Sequence, residues 1–401
     1  MNVEELEKAA EKIFKRGNYF NDYVLEKIAK RINKFGRLNT ADQKAIKNMA
    51  NIKGDIKDIT KKLADLTHKN IGEVEKIYTK VVSDGVNSYK PLYDFKNMDF
   101  VPFAENDFAQ AIVAYWHKQT AAQMINLSRT KAIGFIDSSG EFMSLQGKYQ
   151  KIIDEAVAAL TTGKTDFNTA MRQTIIEIGG SGIVVDYGEG VTRSLDSVIR
   201  ANVLYGAKQA AQAYDEHITK ELDLNGWEID AHPGCRPSHM IMQGGIYAAG
   251  DEPITVNGKE YKGIDEDIGT EALDGSGSVQ GLLNDYGCLH FKTGFEIGVS
   301  EPRYSKKQLK KIKDESTKLI EYDGKEKTLY EWKQVQRAFE RNVRTNKIKS
   351  EMFKITGDNA KAKEYKDTAK EWKNKYNNMV DSIEGLYARP ERMRAYFKSG
   401  K

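Results

Sequence analysis

The chain has 401 residues, of which 30% are charged and 40% hydrophobic. This globular composition excludes a disordered chain, and the length is too great for one ordinary core. No apolar run approaches the roughly 20 residues that span a bilayer, the acidic, helical N-terminus carries no secretory pattern, and two cysteines, Cys235 and Cys288, exclude a disulfide scaffold and point to synthesis in a reducing cytoplasm.

Residues 1–130 read as helices joined by short loops. Val24, Leu25, Ile28, Ile32 and Phe35 share one helical face, and Gly36 stops that helix. A second helix is predicted over 55–66. Asn70 is placed as the cap of a third, which carries Ile71, Val74, Ile77, Tyr78 and Val81. A Tyr- and Phe-rich stretch over 89–103, broken by Pro91 and Pro102, reads as a docking or crossover segment. Helix returns over 104–127 through Phe108, Ile112, Tyr115 and Trp116.

Residues 131–228 form a predicted helical core with one extended piece, 182–187, and one long helix from Thr192 to about Leu224. Residues 158–165 fit the permissive phosphate-loop pattern Ala-x-x-x-x-Gly-Lys-Thr. Such a loop must leave a strand, whereas 152–160 read as an Ala-rich helix ended by Gly163, so the match is assigned to chance.

The texture changes over 229–302, which hold 13 of the 33 glycines and 4 of the 7 prolines. Short strands at 246–247, 254–256 and 260–261 alternate with turns, and Asn257-Gly258 is a hairpin signal. Residues 303–401 return to helix after a small hairpin through Asp323-Gly324. Thr328 and Glu331 form a capping-box pattern, and Gly357 ends the helix they open. Ala362, Tyr365, Ala369, Trp372, Tyr376, Met379, Ile383 and Leu386 then follow a heptad seam that demands a partner helix in the same or another chain. The expected fold is therefore mainly α with an inserted small α+β module: a helical N-terminal region (1–130), a helical core (131–228), the Gly/Pro-rich module (229–302) and a coiled-coil-like helical arm (303–401).

The net charge of +4 hides three territories. Residues 1–228 carry 31 charges of each sign, the module carries 4 basic and 12 acidic residues, and the arm carries 27 basic and 15 acidic. Only the arm suits a polyanion. Its clusters, Lys306, Lys307, Lys310, Lys311 and Lys313 on one helix and Arg337, Arg341, Arg344, Lys347 and Lys349 on another, are the candidate contacts for double-stranded DNA, without sequence preference. A solvated helical face is the alternative.

The module holds both cysteines and three of the six histidines. His232, Cys235 and His239 lie together in sequence, with Cys288 and His290 further on. Cys and His suit a tetrahedral zinc, and a small domain with a poor core gains most from such a staple. The spacing is not that of a zinc finger, and the plainer alternative is a buried thiol with histidines bonded to loop carbonyls. A nucleophilic Cys288–His239 pair is the enzyme alternative.

Four blocks, taken in order, resemble the phage minor capsid protein 2 family, which is related to the Mu F-like minor head proteins. They are Arg200 through Gly206; Ile229 through His239 followed by Gln243 through Tyr247; Gly287-Cys288-Leu289-His290 with Gly298 through Tyr304; and Tyr322-Asp323-Gly324 with Gln334 through Arg337 and Glu340 through Arg344. The resemblance implies a minor capsid protein inside the head of a tailed bacteriophage, near the portal and packaged DNA. Its implied partners are the portal protein and the major capsid or scaffold protein, and its implied role is head assembly or genome packaging and delivery. It implies no membrane partner and no enzyme activity; the alternative is a virion-borne metal- or cysteine-dependent hydrolase such as a nuclease. The family's Asn-Cys-Arg-His is here Gly287-Cys288-Leu289-His290, which keeps Cys288 and His290. Related minor head proteins place an Asp, a His and two Cys at the corresponding positions. That exchange of ligand types favours a Zn2+ site at His232, His239, Cys288 and His290, with Cys235 ranked below them.

Overall fold

Apolar residues recurring every three or four positions make long helices the dominant element. The computed structural model describes residues 3–38, 43–129, 131–137, 139–162, 166–269, 277–284, 288 and 290–397. The N-terminal helices are α1 (Val3–Phe35), α2 (Gln43–Ala50), α3 (Lys53–Ser88), α4 (Lys90–Lys96) and α5 (Asp107–Arg129). Next come strands β1 (Ile133–Ile136) and β2 (Phe142–Ser144), helices α6 (Leu145–Thr162) and α7 (Phe167–Ser181), strands β3 (Val184–Asp186) and β4 (Thr192–Ser194), and helix α8 (Leu195–Glu221). The helices α1, α3, α5 and α8 share one core that also takes Ile178 from α7 and Ile348, Met352 and Phe353 from further along the chain. Thus the first 130 residues are interleaved with the rest and do not fold around a core of their own.

Three expectations are corrected here. Asn70 caps nothing: it is buried within α3, where its Oδ1 accepts from Arg16 Nη1 at 3.2 Å. An N-cap contributes about 1 kcal/mol, less than the apolar face running on from Ile59 and Leu66 to Val74, Ile77 and Tyr78. Among the described residues, 131–225 contain four strands rather than one, in the antiparallel order β2-β1-β3-β4. The predicted helix start at Thr192 is β4, and α8 begins three residues later. Two hairpins, β1–β2 and β3–β4, run straight into α6 and α8. In each, an aspartate at the end of the first strand caps the turn: Asp137 accepts Ser139 N at 2.9 Å, and Asp186 accepts Gly188 N at 3.0 Å. Each second strand ends in Ser and the next helix opens on Leu, at Ser144-Leu145 and Ser194-Leu195. Strands of three or four residues are too short to display the alternation by which sequence reveals them. As for the phosphate-loop match, residues 158–162 lie within helix α6, and Gly163, Lys164 and Thr165 lie outside the described residues.

The axle of the molecule is α8. A Cβ at Gly206 would collide with the hydroxyl of Tyr78, which donates to Val203 O (3.2 Å) and sits 2.8 Å from Thr120 Oγ1. That close approach of α3, α5 and α8 is why glycine stands in mid-helix. Tyr89 donates to Asp215 Oδ1 at 2.7 Å and accepts from Gly294 N at 2.8 Å, tying α8 to the module.

The module contains β5 (Gly226–Ile229), β6 (Ile246–Ala248), β7 (Ile254–Val256), β8 (Lys259–Tyr261), α9 (Val279–Asn284) and β9 (Lys292–Phe295). Its main sheet runs β6-β5-β9, fully antiparallel. The β7–β8 hairpin turns through Asn257 and Gly258, both at positive φ as this turn requires. A small separate core joins Trp227, Ile229, Met242, Ile264, Leu282 and Cys288.

Beyond it lie α10 (Lys306–Thr317), β10 (Ile320–Tyr322), β11 (Lys325–Lys327), α11 (Leu329–Thr356) and α12 (Asn359–Ser382). The Asp323-Gly324 turn, the Thr328/Glu331 capping box and the Gly357 terminus stand as the residues predict. Helix α10 has a second capping box, Ser305/Gln308. The heptad seam finds its partner within the chain: Ala362, Ala369, Tyr376 and Met379 of α12, with Ile383 and Leu386 beyond it, are buried, and the packing includes Leu329, Trp332 and Val343 of α11.

Candidate metal centre and basic surfaces

The end of β5 and the segment entering β9 are clamped together. Asp230 N donates to Phe291 O at 3.1 Å, and Asp230 Oδ1 accepts Phe291 N at 2.9 Å. From α8, the buried Lys208 donates to Leu283 O and, at 3.4 Å, to Cys288 O. These bonds hold the segment that carries Cys288 and His290, and His239 arrives on the 3-10 turn Pro237–His239. The ligand atoms of His239, Cys288 and His290 all lie within 4.8 Å of one another, and all three residues are buried.

The protonation pattern follows from the neighbours. Gln243 Oε1 accepts His232 N at 2.8 Å, which fixes the amide orientation; the same oxygen lies 3.2 Å from His290 Nε2, which must then carry the proton. That leaves His290 Nδ1 with its lone pair toward Cys288 Sγ at 3.7 Å. A tetrahedral zinc holds one sulfur and one nitrogen roughly 3.5 Å apart, and an outer carbonyl oxygen on the far ring nitrogen is the usual support for a metal-bound histidine. Burial, with His232, His239 and two cations nearby, holds His290 well below the ordinary histidine range, so it is a neutral donor. Burial pushes the Cys288 thiol up, and a bound cation would reverse that by stabilising the thiolate. The donor chemistry therefore fits zinc.

His232 is placed differently. Its ring stacks on His290 at 4.6 Å and 19°, outside the three-donor set, and its buried Nε2 has no hydrogen-bond partner. Cys235 is a buried free thiol pushed up to about 12 by burial, close enough to Gln243 to share a hydrogen bond. Both line a large cleft, about 1820 Å³ in volume, whose lining comes from the module, α1, α8 and α11 among other segments.

The basic residues divide sharply. Lys306, Lys307, Lys310, Lys311 and Lys313 are exposed on α10, and Arg341 is exposed on α11. The others on α11 serve the fold or face the cleft. Arg344 is 12% exposed, pairs with buried Asp22 at 2.6 Å and donates to Asn18 O at 3.1 Å. Lys347 donates to Met393 O at 2.9 Å, Lys349 lies over the Tyr365 ring, and Arg337 lines the cleft.

The phage minor capsid protein 2 model matches residues 2–381. The chain belongs to the phage minor capsid protein 2 family. No curated protein and no solved structure matches it. A capsid protein of this family is a structural component of the phage virion, and the described helices include none long and apolar enough to cross a membrane. In this minor capsid protein, helical packing places the matched blocks that sequence order separates: Arg200 of α8, Pro233 and His290 of the module and Arg337 of α11 all line one cleft.

Proposed function

We propose that this minor capsid protein works inside the head beside the portal, in assembly or in genome packaging and delivery, with α10 turned toward packaged double-stranded DNA and other faces toward the portal and the major capsid or scaffold protein. The observation that carries the DNA contact is the exposure of four lysines, Lys306, Lys307, Lys310 and Lys311, on two turns of one helix. Non-specific phosphate contact requires charge and access, and here both are present. Replacing all four by glutamine is expected to flatten the salt dependence of duplex binding by about 0.9 per lysine that meets a phosphate. A titration at several salt concentrations checks this, and an unchanged slope would leave these lysines as solubilising charge.

The portal contact rests on the stretch predicted to dock. Tyr89 and Tyr93 are buried in the fold, but Phe95, Met98 and Val101 remain 53%, 42% and 41% exposed. Such apolar exposure suits a protein interface. Glutamate at Phe95 and Met98 is expected to weaken co-purification with the portal protein at least tenfold while leaving the melting temperature within a few degrees. Full-strength binding by that variant would remove this face from the interface. Deleting residues 1–130 would remove about half of the main core, so point substitutions on this face are the informative test.

The hydrolase reading has one observation in its favour. His239, Cys288 and His290 supply three donors, the number found in catalytic zinc sites with an open position, and they line a cleft that also holds arginines.

A further inference from the structure

A second constellation lines the same cleft and is not used by the metal cluster. Arg200 comes from α8, Arg337 from α11, and Arg389 and Arg392 from the segment that follows α12. Two carboxylates stand among them. Glu7 of α1 pairs with Arg200 and, at 3.5 Å, with Arg389; Glu340 of α11 pairs with Arg392 at 3.6 Å. Lys333 and Asp196 also act on the group. Five cations thus face three carboxylates, an excess of two positive charges.

The excess sits in specific places. Among the described residues, Arg337 has no carboxylate within ion-pair distance, and its guanidinium reaches Gln334 Oε1 at 3.4 Å. The Nε of Arg200 is buried with no hydrogen-bond partner. Burial and the neighbouring guanidiniums both act against the charge on Arg200, Arg337 and Arg392. Like charges gathered in a partly enclosed cleft repel one another, and an anion among them relieves that cost.

The geometry is also held in advance. Tyr376 accepts Arg389 N at 2.6 Å, and Gln336 Nε2 donates to Tyr387 O at 2.6 Å, so the α11–α12 hairpin fixes the segment whose 3-10 turn, Pro390–Met393, follows Arg389 and carries Arg392. Solvated surface arginines need no such support, whereas a recognition site does.

We propose that Arg200, Arg337, Arg389 and Arg392 form a binding site for a phosphate group. The planar guanidinium fork matches phosphate oxygens two at a time, and an excess of two positive charges matches a phosphate dianion. The phosphate can arrive free in solution or as the terminal phosphate of a DNA strand. The site is separate from the lysines of α10, so its test and the DNA test above can fail independently.

The full-length protein is titrated calorimetrically with inorganic phosphate, with pyrophosphate, and with a short single-stranded oligonucleotide bearing or lacking a 5′-phosphate. Binding of phosphate or pyrophosphate is expected, weakened at least tenfold in Arg337→Gln and in Arg389→Gln. Arg337→Lys should fall between, since it keeps the charge and loses the fork. Lys61→Gln, on the exposed surface of α3, controls for a change in net charge and should bind as the parent does. Arg337 makes few internal bonds, so its variants should keep the parent melting temperature. An oligonucleotide that binds only when 5′-phosphorylated, with free phosphate silent, assigns the site to DNA ends and supports the proposal; binding of free phosphate supports the other source. Absence of binding by all four ligands, or equal binding by parent and Arg337→Gln, overturns it and leaves the arginines as an internal network.

Discussion

Alanine at Arg344 is expected to destabilise the protein by about 3–5 kcal/mol, the usual cost of leaving one member of a buried ion pair alone. Its partner Asp22 is fully buried in α1, where its carboxylate accepts from Arg344 at 2.6 Å, Tyr396 N at 2.7 Å and Asn21 Nδ2 at 3.0 Å. One carboxylate thereby joins the first helix, α11 and the C-terminal segment. Burial nonetheless outweighs these partners and raises the Asp22 pKa above the ordinary carboxyl value. The sign follows from that direction. Asp22 in the folded protein takes up a proton at higher pH than in the unfolded chain, so its contribution is most favourable below the unfolded value and declines as pH rises through the folded one. Without Arg344 the carboxylate becomes still harder to ionise, so the penalty in Arg344→Ala should shrink as the pH is lowered toward 4. Asp22→Asn should recover part of the loss at neutral pH, because a neutral amide needs no cation. Denaturant melts of the two single variants and the double variant at pH 7 and pH 4.5 check this. A loss below about 1 kcal/mol in Arg344→Ala would show that the pair is not a structural tie.

Zinc removal is the second large effect. Protein purified without chelator is expected to hold about one equivalent of zinc, and stripping it should cost about 4 kcal/mol if the free metal had stood 1,000-fold above its dissociation constant. Cys288→Ser and His239→Ala should each abolish the stoichiometric metal, since both donate to the three-atom set. His232→Ala should retain more, since its ring stacks on His290 from outside that set. Elemental analysis paired with thermal melts before and after chelation reads both quantities, and metal-free protein of unchanged stability would dispose of the centre. Incubating the zinc-loaded protein with plasmid distinguishes the structural from the hydrolytic reading: intact plasmid is expected, and nicking that disappears in His239→Ala would favour the hydrolase.

Features that depend on neighbours along the chain can be read before any fold is known. The turns at Asn257-Gly258 and Asp323-Gly324, the Thr328/Glu331 cap and the seam of α12 were legible because positive φ, capping and heptad spacing are local properties. The family resemblance was legible too, since four ordered blocks carry it. The pairing of Cys288 with His290 could be guessed from a spacing of two, and His239 from its residue type. Which polar residues face inward, and what they meet there, emerged from the packing of distant segments. Arg344 and Arg341 look alike in a basic run, yet one is spent on Asp22 and the other is exposed. Asn70 has the residue type of a helix cap and is buried inside α3, since a long apolar face outweighs one cap. Arg200 and Arg392 stand 192 positions apart in sequence and act on each other across one cleft. Charge patterning reports composition along the chain, whereas burial, pairing and orphaned donors arise only when helices from distant segments close on one another, and the free energy of a charge depends on that enclosure.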